Sequence, residues 1–234
     1  MWRSRADGER AGMLEIMTRR SGRLTPELHD YIVAHGTGPD DLLRELAAET
    51  AERFGDSAGM QIGPEQGTFM TLLARVAGAR DAVEVGTFTG YSSICLARGI
   101  RGRMLCCDVS EEWTSVARRY WERAGLSDRI ELRLGPALET LRGLPGDTRF
   151  DLAFIDADKG GYVGYWEELV PRVRPGGVLL ADNTLWSYEV ADESRQDEAV
   201  RAIRAFNGHA ARDARVELVI LPIGDGLTMA RRLE

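Results

Sequence analysis

The 234-residue chain contains no apolar run approaching the ~20 residues that span a bilayer. Its start also lacks the uninterrupted apolar stretch of a secretory signal: MWRSRADGER is rich in arginine and AGMLEIMTRR is broken by charge. A basic excess is missing too. The formal net charge of −7 argues against a nucleic-acid partner, because neutralising phosphates requires clustered Lys and Arg. Cysteine is scarce, and the odd set Cys95, Cys106 and Cys107 suits reduced thiols in a cytoplasmic protein rather than a disulfide framework. Nothing in their spacing supplies converging thiolate ligands, and the adjacent pair should project to opposite faces of a strand. Neither a repeat nor a low-complexity linker divides the chain. Apolar residues at 44% and charged residues at 29% supply a core and exclude disorder. One domain over residues 13–234 is expected, with 1–12 as a flexible arm, and with neither membrane nor nucleic acid as partner.

Within that domain, residues 13–79 read as helices. Thr25-Pro26-Glu27 forms an N-cap and first turn for TPELHDYIVAH. DDLLRELAAETAERF carries Leu42, Leu43, Leu46 and Ala47 at helical spacing. GPEQGTFMTLLARVAGA opens on Pro64 and Glu65 and puts Phe69, Leu72, Leu73 and Val76 on one stripe, with Gly67 lowering its helix propensity. These helices are expected to serve as a lid or a dimer interface. From residue 80 the rhythm changes. Short β-rich runs (AVEVG, RMLCCD, IELRL, FDLAFID, GGVLLAD) alternate with YSSICLARGI, EEWTSVARRYWERAG, PALETLRG and YVGYWEELVPRV, the pattern of parallel βαβ units. SRQDEAVRAIRAFNGHA adds a helix. VELVILPIGDGLTMARR then reads as a hairpin about Gly224, Asp225 and Gly226 that closes the sheet antiparallel. The predicted fold is a Rossmann-like α/β domain with a seven-stranded, mostly parallel sheet, its last strand reversed and helices on both faces.

In such sheets ligands sit beyond the carboxyl ends of the strands. The first strand ends in Glu84-Val85-Gly86-Thr87-Phe88-Thr89-Gly90, whose glycines permit a tight turn and close backbone approach. Asp108 ends the second strand about twenty residues on, where a carboxylate meets a ribose diol. A dinucleotide pyrophosphate wants G-x-G-x-x-G, and Phe88 stands where the second glycine would be. Glu84 favours a ligand with positive charge. S-adenosylmethionine carries a ribose, a sulfonium and an ammonium but no phosphate, and suits the turn better than NAD does.

A second group of polar residues lies at neighbouring strand ends. FIDADK places Asp156 and Asp158 at the end of the fourth strand with Lys159 next, and LLADN places Asp182 and Asn183 at the end of the fifth. Crowded carboxylates require positive charge among them. Lys159 supplies part of it, and a hard divalent cation supplies the rest: two Asp and an amide oxygen are ligands for Mg²⁺ rather than Zn²⁺. Taken singly, Asp158 and Asn183 also read as helix caps. His29, His35 and His209 lack ligand partners at useful spacing and read as surface residues.

VEVGTFTGYSS, CCDVSEEWTSVARRYWERAGLSDRIELRLGPALETL, FDLAFIDADKGGYVGYWEELVPRVRPGGVLLADNTLW and VILPIGDGLTMARR together resemble the cation-dependent catechol/caffeoyl-CoA O-methyltransferases, from about Met60 to Arg232. The resemblance implies a class I methyltransferase and a homodimer. It implies Asp156, Asp182 and Asn183 as ligands of Mg²⁺, Mn²⁺ or Ca²⁺. Met60, Glu84, Gly86, Ser92, Asp108, Ala137 and Asp156 become the S-adenosyl-L-methionine shell, and Lys159 the general base. Catalysis then falls to Lys159, Asp156 and Asn183. Two segments depart from the family: Lys159-Gly160-Gly161-Tyr162 where K-x-N-Y is frequent, and Leu185-Trp186-Ser187-Tyr188 where L-W-x-G is usual. Tyr162, Trp186 and Tyr188 are the expected walls for a flat small-molecule acceptor, with Tyr188 narrowing the pocket. The expected reaction is O-methylation of a catechol-type phenol. Competing readings are a hydroxyl on a CoA- or carrier-linked acyl group, a metal-independent methyltransferase, a nicotinamide oxidoreductase and a non-catalytic protein of the same fold.

Overall fold

The structure, a computed structural model, describes residues 24–234, so the arm expected at 1–12 and the start of the expected N-terminal helices lie outside it. The chain divides into two compact units, Met1–Gly36 and Thr37–Glu234. In the first, helix α1 (Pro26–His35) starts as the sequence dictates: the Thr25 hydroxyl accepts from the Leu28 amide at 3.3 Å and Pro26 opens the first turn.

In the second unit, α2 (Asp41–Phe54) is capped by Asp40, whose carboxylate accepts from the Leu43 amide at 3.0 Å. A 3₁₀ turn (Gly55–Met60) leads to α3 (Pro64–Val76). The elements that follow are β1 (Ala82–Val85), α4 (Tyr91–Gly99), β2 (Met104–Asp108), α5 (Glu111–Arg123), β3 (Ile130–Leu134), α6 (Ala137–Arg142) and β4 (Phe150–Ile155). After them come α7 (Tyr162–Leu169), β5 (Val173–Ala181), α8 (Glu198–Ala210), β6 (Val216–Leu221) and β7 (Leu227–Arg232). The strands form a seven-stranded sheet in the order β3-β2-β1-β4-β5-β7-β6. β3 to β5 pair parallel, and β7 runs antiparallel to both β5 and β6. The expected fold is present. Strand order turns back between β1 and β4, which places a ligand crevice beyond their carboxyl ends.

Two apolar layers sandwich the sheet. One joins Leu43, Leu46, Met70 and Ala74 to Ile94, Leu96, Val116 and Trp121. The other gathers Leu141, Tyr162, Trp166, Leu169, Ile203 and Phe206. Cys106 belongs to the first layer and Cys107 to the second, the opposed projection expected of neighbours in a strand. α2 and α3 are therefore part of the same core as the sheet.

Three local expectations change. The stripe on α3 that meets the core is Gln66, Gly67, Met70 and Ala74, with Phe69 and Leu73 beside it. Leu72 and Val76 face outward, Val76 at 85% exposure. Gly67 decides this rotation, because a Cβ there would stand 2.8 Å from the Cys95 sulfur, so the α3–α4 crossing needs glycine. α7 stops at Leu169 instead of running to Val173, since Pro171 cannot continue a helix and Val173 already pairs with Phe150. α8 begins at Glu198, not Ser194, with Asp197 as its N-cap residue.

Candidate active site

Beyond the carboxyl ends of β1, β2, β4 and β5 lies a cavity of about 840 Å³. Its first wall is the β1 turn. Gly86 sits at φ +90°, and a Cβ there would lie 1.9 Å from the Asp156 carbonyl oxygen, so only glycine lets the tips of β1 and β4 touch. Phe88 occupies the left-handed region at φ 51°, the conformation a second glycine would take, and its ring lies tilted against Phe54 (5.8 Å) and edge-on to Trp113 (5.2 Å). The turn is held by Asp108. One carboxylate oxygen accepts from the amides of Thr87 and Phe88 at 2.9 and 2.8 Å, and the other from the Ser110 amide at 2.8 Å. The residue proposed for the ribose thus also ties β1 to β2. From α2, Thr50 donates to Thr89 at 2.9 Å in a buried contact.

Met60, Gly86, Ser92, Asp108, Ala137 and Asp156 all line this cavity. Glu84 does not. It lies fully buried beneath the turn, 3.4 Å from the Cys106 sulfur, and burial pushes its carboxyl pKa up to about 8 against the pull of Ser92 and Cys106.

The second wall carries the acids. Lys159 is the only lysine in the chain. Its ammonium donates to Asp156 Oδ1 (3.1 Å), to Asn183 Oδ1 (2.6 Å) and to the Tyr162 hydroxyl (2.7 Å), so all three donors are engaged. Oxygens from the tips of β4 and β5 therefore meet on one cation. Asp182 sits just below, buried. Its carboxylate accepts from Gln66 Nε2 (2.6 Å) and from the Asn183 amide (2.7 Å). Burial raises the Asp182 carboxyl to about 7 and Asp156 adds to the rise; burial raises Asp156 as well, while Lys159 draws it down. One ammonium leaves this pair short of positive charge. No trio of His, Cys, Asp or Glu converges among the described residues, so a cation cage here needs the Asn183 amide.

Of the three expected aromatic walls, Trp186 lines the cavity. Tyr162 is fully buried against Phe206 and reaches the site only through its hydroxyl, and Tyr188 lies outside the lining. Three participants escape the sequence reading. Gln66 arrives from α3, 116 residues away from the Asp182 it contacts. Asp225 comes from the β6–β7 hairpin, its carboxyl raised by burial. Tyr165 donates to Asp158 at 2.5 Å. The Gly224-Asp225-Gly226 hairpin signal marked Asp225's position but not its proximity to β5.

Asp108, Asp156, Asp158 and Asp225 line the cavity with Lys159 as the counter-charge, and no arginine joins them. Such a field repels a diphosphate and suits a ligand carrying a sulfonium and an ammonium. The reversed β7, the glycine turn and the acid-lined crevice define a class I methyltransferase. The family model described as O-methyltransferase matches residues 34–233. Among curated relatives, tricin synthase 2 of Oryza sativa subsp. japonica is 39% identical over 88% of this chain and 75% of its own. Catechol O-methyltransferase domain-containing protein 1 of Mus musculus is 37% identical over 92% and 85%. The O-methyltransferase of Bacillus cereus, solved in complex with SAH, superposes with a TM-score of 0.80 at 35% identity, covering 88% of this chain and 97% of that one. The chain belongs to this O-methyltransferase family and is an S-adenosylmethionine-dependent enzyme.

Proposed function

We propose that this enzyme methylates one hydroxyl of a catechol-type phenol with the help of Mg²⁺ or a similar divalent cation. The observation that carries the reading is the meeting of Asp156 and Asn183 oxygens on the single ammonium of Lys159, with Asp182 beneath and Trp186 alongside. The donor set is all oxygen, it is short of positive charge, and it fits a hard cation held by Asp156, Asp182 and Asn183. Met60, Gly86, Ser92, Asp108 and Ala137 would hold S-adenosylmethionine, with Glu84 supporting the turn from below.

When bound, the methyl donor supplies an electrophilic sulfonium carbon, and the cation supplies Lewis acidity toward two vicinal hydroxyls. The chain's own residues do the rest. As the neutral amine, after one proton has left to solvent, Lys159 Nζ takes the acceptor's hydroxyl proton and so becomes the ammonium that contacts Asp156, Asn183 and Tyr162. The other basic side chains among the 30 are arginines, whose guanidinium does not give up a proton. The Tyr162 hydroxyl fixes that amine, and Trp186 offers a flat face for the ring. Phe54, Phe88 and Trp113 pack over the turn and keep water from the transfer, in which opposite charges cancel. The larger setting is a cytoplasmic homodimer whose N-terminal helices, among residues 13–79, contribute lid or dimer contacts, with 80–234 as catalytic core.

A methyl-transfer screen tests this. Free catechols, a catechol-bearing acyl-CoA and a carrier-linked acyl group are offered with Mg²⁺, with EDTA, and with Mg²⁺ restored. Free catechols should turn over in the first and third conditions only. Undiminished activity in EDTA removes the cation from the reaction. Turnover confined to the CoA- or carrier-linked substrates replaces the acceptor class.

A further inference from the structure

Trp186, Ser187 and Tyr188 lie consecutively in the left-handed region, at φ 46°, 52° and 67°. L side chains avoid this conformation, and a run of three persists only where the surroundings over-determine it. The β6–β7 hairpin provides that constraint. The Gly226 carbonyl accepts from the Thr184 amide (2.8 Å) and the Thr184 hydroxyl (3.0 Å), and the Asp225 carbonyl accepts from the amides of Leu185 (3.0 Å) and Trp186 (3.2 Å). The Thr228 hydroxyl donates to Thr184 at 3.1 Å. The approach is backbone to backbone: a Cβ on Gly226 would lie 2.4 Å from the Leu185 nitrogen. Side chains reach the strained run as well: the Lys159 ammonium lies 5.7 Å from the centre of the Trp186 ring, and Asp225 approaches from the hairpin. The Asp225 carboxylate accepts the Ser187 amide and lines the cavity with Trp186, Lys159 and Asn183.

We propose that Asp225 is a positioning residue for the acceptor: its carboxylate pins the Ser187 amide and so holds Trp186 as a wall of the pocket. The proposal rests on reading Trp186 as the acceptor wall. Releasing Ser187 lets the run relax toward φ < 0 and moves the indole out of place. The loop joins β5 directly after Asn183, so its disorder also loosens one candidate ligand. The cofactor wall, built from β1 and β2, is untouched.

Amide hydrogen exchange with S-adenosylhomocysteine bound reads the clamp without any acceptor. In the wild type the Ser187 amide should be protected. In Asp225→Ala it should exchange about tenfold faster while Leu180 in β5 is unchanged. Asp225→Asn keeps an acceptor oxygen and should stay near wild type. With catechol as substrate, Asp225→Ala should raise the acceptor KM about tenfold, as expected for a lost bond to a charged acceptor, and leave the S-adenosylmethionine KM within about twofold. Asn should rescue it. An unprotected Ser187 in the wild type overturns the proposal, as does Asp225→Asn behaving like Ala, or an unchanged acceptor KM in Asp225→Ala. If the loop is clamped as described but the wild type methylates no catechol, the positioning of Trp186 stands and the acceptor reading falls alone.

Discussion

The two walls of the cavity are built on opposite principles. On the β1–β2 side a carboxylate is already satisfied: Asp108 accepts three backbone amides, and of the left-handed positions in the turn, 86 and 90 are glycine and only Phe88 is not. On the β4–β5 side the carboxylates crowd one another, a single ammonium joins Asp156 to the Asn183 amide oxygen, and the bends fall on Asn183, Trp186, Ser187 and Tyr188 instead of glycine. The first wall is a finished mould. The second is charged and strained, and it depends on partners from elsewhere in the chain. Residues on the second wall should therefore govern chemistry, and those on the first should govern binding and stability.

That contrast can be attacked from both sides. The largest effect should come from Asp156→Ala, which removes both an oxygen donor and a partner of Lys159; methyl transfer should fall about 10³-fold. Calorimetry on the same variant should still find S-adenosylhomocysteine bound, and lost binding would merge the two walls into one. Gly86→Ala probes the other side. Its Cβ meets the Asp156 carbonyl and its φ of +90° is strained, so thermal unfolding should report a loss of about 3 kcal/mol, together with weakened cofactor binding.

Next comes Glu84. Burial lifts its folded pKa to about 8, above the ordinary 4.5 of a glutamate, so the folded protein keeps a proton that the unfolded chain has released. The resulting stability is fully present below the unfolded pKa and is lost as pH rises through the folded one. The ligand-free enzyme should lose on the order of 3 kcal/mol between about pH 5 and pH 8, and Glu84→Gln should flatten that slope in melting curves. The smallest effect is Tyr188→Gly. Relieving a left-handed tyrosine that is 37% exposed should stabilise the protein by about 1 kcal/mol, a rise of a few degrees in Tm. A drop in Tm would show that the tyrosine ring packs more strongly than its backbone is strained.

The first wall was largely legible in the sequence because it is local. Gly86, Gly90 and Asp108 lie within one βαβ unit, and their spacing alone points to a nucleoside. Asp156, Asp182 and Asn183 were legible for a related reason: parallel neighbours put their ends together. Contacts across the topology were not. Gln66 reaches Asp182 only because α3 packs on the first face of the sheet, and Asp225 reaches Ser187 only because β7 inserts between β5 and β6. The stripe on α3 was misjudged by one helical face, since hydrophobicity favoured Leu72 and Val76 while close packing on Cys95 demanded Gly67. Tyr162 looked like a wall from its place after Lys159, and burial turned it into a hydroxyl support for the ammonium.

The amino-acid order by itself determined the alternation of strand and helix, the glycine turn and the acids at the strand tips, because each depends on periodicity or on residues close together along the chain. Only the tertiary structure decided which partner each carboxylate takes, which aromatic faces the cavity and which helix supports the acids. Burial and partner choice are properties of neighbours in space, and the sheet order β3-β2-β1-β4-β5-β7-β6 sets those neighbours.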